Sequence, residues 1–278
     1  MRCGRFDLPA HRPLIMGVAN ATPDSFSDAG QFLSTQAVID HAWQLIDAGA
    51  DILDIGGEST RPGAQPVTEA DELARILPVL RACRDAAVPI SVDSMKPAVM
   101  RIALAEGASM INDVNALQLP GAMQAVADSD CLLCLMHMQG EPRSMQVDPR
   151  YDDVVSEVAQ FLQQRAEACV QFGIDPARIV LDPGFGFGKT LQHNLALLRG
   201  LGELLALGYP VLAGLSRKSM LGALTGRPAG ERLAGSVAAA LLAAQRGATI
   251  LRVHDVAETR DVLAVWHALE QSSIACTP

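Results

Sequence analysis

Eight times along the chain, a short apolar run gives way to a longer segment with helical spacing, and few architectures accept that pattern. The runs fall at 14–18, 52–55, 89–92, 110–111, 131–136, 179–181, 210–213 and 249–253. They are nearly continuous in apolar residues, as strands covered on both faces are. Helical spacing follows at 37–48, 68–84, 97–106, 121–127, 152–172, 191–207, 231–245 and 255–269. Thr68 with Asp71 three residues on forms a weak capping box. Pro97 sits in a first helical turn, where its missing N–H costs nothing. Strands alternating with helices build a parallel sheet with right-handed crossovers. Eight such units predict an α/β fold of the (β/α)8 TIM-barrel type. The expectation is one domain over residues 1–278, its barrel core about 14–269. An open doubly wound sheet is the rival, but that fold's dinucleotide fingerprint is missing.

The totals agree with one large α/β unit: 278 residues, 49% hydrophobic and 19% charged. A formal net charge of −9 counts against a nucleic-acid partner, which asks for a basic face. A few local arginines can still serve an anionic small molecule. The N-terminal segment lacks the apolar core of a signal peptide, and no run approaches the roughly 18 apolar residues of a membrane helix. A cytoplasmic protein without membrane partners is the expectation. Of the six cysteines, Cys131 and Cys134 form C-x-x-C. They lie in a strand, where residues three apart face opposite ways, so they read as small buried hydrophobes.

Chemistry-bearing residues gather at the C-terminal ends of the strand runs. Asn20, Asp93, Asn112, Asp182, Lys218, Arg252 and His254 all fall at or just past a tip. In a barrel those ends form one mouth. Each alone has a bland reading, because Asp and Asn often close strands by satisfying loop backbone. Together they divide by chemistry. Asp93, Asn112 and Asp182 offer acceptors and an amide, suited to a flat heterocycle with several N–H groups. Lys218, Arg252 and His254 are donors for a carbonyl or an anion. Arg61 adds a charge on the loop after the second strand. The stretch D-P-G-F-G-F-G-K at 182–189 imitates a phosphate loop, but Pro183 stands where that pattern requires glycine and has no N–H to give. Lys189 is therefore assigned a structural or surface role. No H-E-x-x-H or Cys/His cluster indicates a held zinc. A Mg2+ ion arriving with a diphosphate and touching Asn20 is compatible with the tips.

The motifs that carry these residues resemble those of the bacterial dihydropteroate synthase family. They are N-A-T-P-D-S-F-S-D (20–28), D-I-G-G-E-S-T-R-P-G (54–63), S-V-D-S-M-K-P (91–97), I-N-D-V (111–114), L-M-H-M-Q-G-E-P (135–142), L-D-P-G-F-G-F-G-K (181–189), G-L-S-R-K-S (214–219) and R-V-H-D (252–255). The resemblance implies a TIM barrel that condenses 6-hydroxymethyl-7,8-dihydropterin diphosphate with 4-aminobenzoate. It implies that Asp93, Asn112, Asp182, Lys218 and Arg252 hold the pterin. Asn20, Arg61, Arg252 and His254 would hold the diphosphate, with Asn20 on Mg2+. Thr60, Pro62, Phe185, Lys218 and Ser219 would shape the 4-aminobenzoate pocket, with Phe26 and Asp28 arriving on the first loop. Catalysis would fall to Asp93, Lys218, Arg252, His254 and Arg61, without a covalent nucleophile. Sulfonamide binding and a homodimer, packed through the small-residue helix near 233–244, are also implied. Ala21, Ser94-Met95 and Asn115-Ala116 depart from the family's usual residues, and none is a pterin or diphosphate position. Two other readings use the same acidic floor: a pterin-dependent methyltransferase barrel and a non-catalytic paralogue. The intact diphosphate set, Arg61, Arg252 and His254, argues against the first. The complete loops at 20–28 and 54–63 argue against the second.

Overall fold

The computed structural model describes residues 1–22, 31–59, 65–141 and 144–271. Eight parallel strands form the sheet: β1 (Leu14–Asn20), β2 (Ile52–Gly56), β3 (Ile90–Asp93), β4 (Met110–Asp113), β5 (Leu132–Met136), β6 (Ile179–Asp182), β7 (Leu212–Ala213) and β8 (Ile250–Val253). Pairing runs in order from β6 back to β1, then to β8 and β7. A parallel bridge from Leu181 to Val211 brings β6 to β7 and nearly closes the barrel. The expected (β/α)8 architecture is what forms, and the alternation of segments is the physical reason.

Both faces of each strand are apolar because each face meets a different core. Leu14, Met16, Ile52, Met110, Leu132, Cys134, Val180, Leu212 and Ile250 point inward and fill the barrel. Ile15, Leu53, Ile55, Val92, Ile111, Leu133, Leu181 and Leu251 point outward beneath the helices. Cys131 belongs to the outer core and Cys134 to the inner one, on opposite faces as their spacing requires. The outer layer consists of α1 (Gln31–Asp47), α2 (Glu69–Ala82), α3 (Pro97–Ala105), α4 (Ala122–Val126), α5 (Val154–Gln171), α6 (Leu191–Arg199), α7 (Leu201–Leu205), α8 (Ser219–Thr225), α9 (Leu233–Gln245) and α10 (Val256–Gln271). Thr68 Oγ1 accepts from Asp71 N at 3.1 Å, so the expected cap forms. Thr190 and His193 make a reciprocal box at the start of α6.

Two elements were not evident in the sequence pattern. Arg2–Cys3 and Phe6–Asp7 form a small antiparallel hairpin. It covers the end of the barrel opposite the mouth, with Cys3 and Leu8 packed on the inner core. Gly4 N donates to Asp130 O and Cys3 Sγ to Ser109 O, both just before strands begin. Helix α8 follows directly on the loop that carries Lys218.

The glycine-rich segment after β6 is packed against the loop after β5. A Cβ on Gly184 would lie 1.9 Å from His137 O, and Gly184 has φ +65°. No side chain fits there, and an L-residue is strained there besides. Lys189 is buried behind this contact. Its Nζ lies 2.8 Å from His137 Nδ1 and donates to Phe187 O at 2.9 Å. Burial lowers its pKa to about 7 and, with the neighbouring Lys189, lowers that of His137 to about 3. Of the two roles expected for Lys189, the structural one holds and the surface one does not.

Gly184→Ala should therefore destabilise the fold by about 2–4 kcal/mol, the sum of left-handed strain and overpacking. Gly202→Ala, in α7 with open space around it, should instead stabilise by about 0.5–1 kcal/mol. Urea unfolding of both variants is the check. Near-equal effects would show that the two loops are not in hard contact.

Candidate active site

The site is a layer of charged and polar side chains resting on the inner core at the strand tips. Asn20, Asp93 and Asp182 end β1, β3 and β6, and Asn112 and Arg252 each lie one residue before the end of β4 and β8. The register aligns Gly56 with Asn20 and Asp93, and Asp93 with Asn112. A Cβ on Gly56 would stand 3.8 Å from Asn20 Oδ1 and 3.9 Å from Asp93 Oδ2. Asn20 and Asp93 thus approach each other across the tip of β2.

Arg252 is the hub. Its Nε donates to Asp54 Oδ2 at 2.7 Å and its Nη2 to Asp93 Oδ2 at 2.9 Å. Asp54 also receives Asn112 Nδ2 at 3.5 Å. Burial alone would lower the pKa of Arg252, but Asp54 and Asp93 outweigh it and keep the guanidinium charged. Asp93 is pushed up to about 7, first by burial. Arg252 opposes that shift, while Asp54, Glu72 and Asp113 add to it. Asp182 is also raised, chiefly by burial, while Gly184 N, donating at 2.7 Å, and the cations Lys218, Arg252 and Lys189 hold it down.

Lys218 enters from the loop after β7. Its Nζ donates to Phe185 O at 2.6 Å and stands 4.1 Å from the centroid of the Phe187 ring. Burial lowers its pKa to about 8, Asp182 opposes that shift, and Arg252 adds to it. The loop is anchored from behind. Arg217 N donates to Ser236 Oγ, and Arg232 Nη1 to the carbonyls of Arg217 and Lys218. Ser219 begins α8 directly after it. His254 follows β8, with its ring Nδ1 3.0 Å from Ser216 Oγ.

The structure therefore joins Asp93 to Arg252 directly and Asn112 to Arg252 through Asp54, and Asp182 and Lys218 to them through the field. Phe185 departs from expectation: it is only 1% exposed and packs in the outer core. Phe187, two residues on and half-buried, is the ring that meets Lys218. A tight turn reverses the side-chain direction between them, which residue type cannot reveal. Asp54, in the D-I-G-G-E motif, is the functional residue that the strand-tip reading misses. A charged residue inside an otherwise apolar strand was the available signal. Phe26, Asp28, Thr60, Arg61 and Pro62 lie outside the described residues. Among the described residues no group of three or more His, Cys, Asp or Glu side chains could hold a metal ion, and no helix is long and apolar enough to cross a membrane.

Comparison with known proteins accords with this geometry. The model of the pterin binding enzyme family matches residues 16–254. The dihydropteroate synthase of Neisseria meningitidis serogroup C is 54% identical over 273 residues, covering 96% of each chain. The structure of Xanthomonas albilineans dihydropteroate synthase with 4-aminobenzoic acid superposes with a TM-score of 0.91 at 54% identity, covering 95% of both chains. That of Burkholderia cenocepacia dihydropteroate synthase complexed with 7,8-dihydropteroate gives 0.88 at 51% identity, over 96% of this chain and 95% of that one. A chain matched by the family model over residues 16–254, with relatives at this identity over nearly its full length, belongs to the dihydropteroate synthase family of pterin-binding enzymes.

Proposed function

We propose that the chain is a transferase of folate biosynthesis that joins 6-hydroxymethyl-7,8-dihydropterin diphosphate to 4-aminobenzoate. The products are 7,8-dihydropteroate and diphosphate. The observation that carries this reading is the floor of Asp93, Asn112 and Asp182 gathered around Arg252 and Lys218. A pterin presents an edge of N–H groups and one carbonyl. Carboxylates and an amide oxygen accept from that edge, and Lys218 donates to the carbonyl. The guanidinium of Arg252, already held by two carboxylates, would lie against the ring and reach the diphosphate.

His254, with Arg61 from the loop after β2, completes the diphosphate set. Asn20 offers one neutral amide oxygen at a strand tip. That suits Mg2+ arriving with the diphosphate, not an ion resident in the protein. When bound, the ion supplies further charge stabilisation to the leaving group. The protein's own cations stabilise the charge that grows on the leaving oxygen. Asp93, beside Arg252, would favour positive charge developing on the pterin methylene. The amine of 4-aminobenzoate then attacks that carbon. Positioning and preorganised charge each supply several kcal/mol in enzymes of this kind, on the order of 3–10. Phe187, in place of Phe185, would form the wall beside Lys218, and Ser219, Thr60, Pro62, Phe26 and Asp28 would complete the 4-aminobenzoate pocket.

The exposed apolar side chains Leu233 and Leu242 on α9 and Leu224 on α8 support a homodimer through that side. Sedimentation should give twice the 29.4 kDa chain mass. A monomer at micromolar concentration would remove the dimer from the reading.

Purified protein with Mg2+ should form dihydropteroate only when both substrates are supplied, and no product under those conditions would sink the enzymatic reading. Asp182→Ala should nearly abolish pterin binding by calorimetry. Near-normal affinity would remove Asp182 from the floor. Lys218 loses its proton as pH rises through about 8. The ratio kcat/KM for the pterin diphosphate should therefore fall above that pH. Lys218→Arg stays charged and should lack this alkaline limb while working more slowly at neutral pH. An unchanged limb would assign it to another group.

A further inference from the structure

Asp54 is a fully buried charge to which the reaction as described assigns no task. It lies mid-strand on β2, with Val18 of β1 and Ser91 of β3 as its register partners. Its side chain consequently enters the barrel one layer below Asp93 and Asn112. From there Oδ2 takes the Nε edge of Arg252 and the amide of Asn112. A buried cation needs a counter-charge, and both carboxylates supply it, Asp54 touching Nε and Nη2 and Asp93 touching Nη2. The Asp54 carboxylate is the stronger of the two counter-charges, and it does more than neutralise. It adds a second fixed point on a planar group, and two points set the plane. The contact with Asn112 has a similar effect. It turns Nδ2 downward and leaves Oδ1 on the other side, with no partner among the described residues.

We infer that Asp54 is a positioning residue of the pterin site, which from beneath the floor sets the plane of the Arg252 guanidinium and the sense of the Asn112 amide. Without its charge, Arg252 hangs from Asp93 alone and can turn about that contact. Asn112 can then present its amide nitrogen where a pterin N–H requires an acceptor. The functional consequence rests on the pterin reading above, while the contact itself rests on geometry alone.

Asp54→Asn keeps the shape and removes the charge, and two measurements read it. The first needs no turnover. The Nε–H resonance of Arg252, identified by its loss in Arg252→Lys, should exchange slowly with water in the unaltered protein. In Asp54→Asn exchange should be at least about tenfold faster, the scale set by losing one charge-assisted hydrogen bond. Unchanged exchange overturns the proposal. The second measurement is steady-state kinetics. KM for the pterin diphosphate should rise about tenfold while KM for 4-aminobenzoate stays within about twofold. No rise, or an equal rise in both, overturns it. If the unaltered protein shows no turnover, the enzymatic reading fails and the Nε measurement alone decides the contact. Asp54→Ser serves if Asp54→Asn does not fold. Failure of both to fold makes Asp54 a plain stability residue and overturns the positioning role.

Discussion

The mouth of this barrel exists because one guanidinium is held between two carboxylates. Asp54, Asp93 and Asp182 all sit among desolvated groups at the ends or middles of buried strands. Such a set is opposed by lost hydration, which drives Asp93 and Asp182 towards taking up protons, and at Asp93 by repulsion as well. Arg252 bridges the first two, and Lys218 faces the third. The carboxylates keep the cations charged, and the cations keep enough carboxylate ionised to accept hydrogen bonds. The group is stable as a set. Removing one member leaves an uncompensated charge in a poorly solvated place.

That arrangement suits a reaction without a covalent step. A polar heterocycle can replace water at the floor only if the acceptors already stand in place. Their support comes from side chains that touch no substrate in the proposed reaction. Lys189 and His137 join the loops after β5 and β6, and Gly184 lets those loops meet. Arg232 and Ser236 hold the turn that aims Lys218. The mouth is therefore backed by a second layer whose members are mostly neutral or paired. Such a layer limits how far the charged layer can relax when it is empty.

Much of this is legible in the sequence. Parallel strands buried on both faces must be continuously apolar, so their number and order could be read directly. Polar residues closing those runs marked the mouth, and the barrel topology collected Asn20, Asp93, Asn112, Asp182 and Arg252 there. The N-terminal hairpin was not legible, because two-residue strands carry no periodicity. Helix α8 was hidden by Gly222 and by its shortness. Asp54 was visible as a carboxylate in an apolar strand, but its partner lies 198 residues away. Nothing local announces such a contact.

What the sequence by itself determined is the set of elements, their order and the chemistry available at their ends. These follow from hydrophobic period and residue type, which are local properties. Only the tertiary structure decided which side chains meet. It turned Phe185 into the core and left Phe187 against Lys218, since a left-handed glycine turn controls direction and residue type does not. It buried Lys189, which the sequence allowed to be a surface group. It also made Asp54 a part of the floor. Charge pairing across a barrel depends on register and closure, and these are fixed by the packing of all eight strands together.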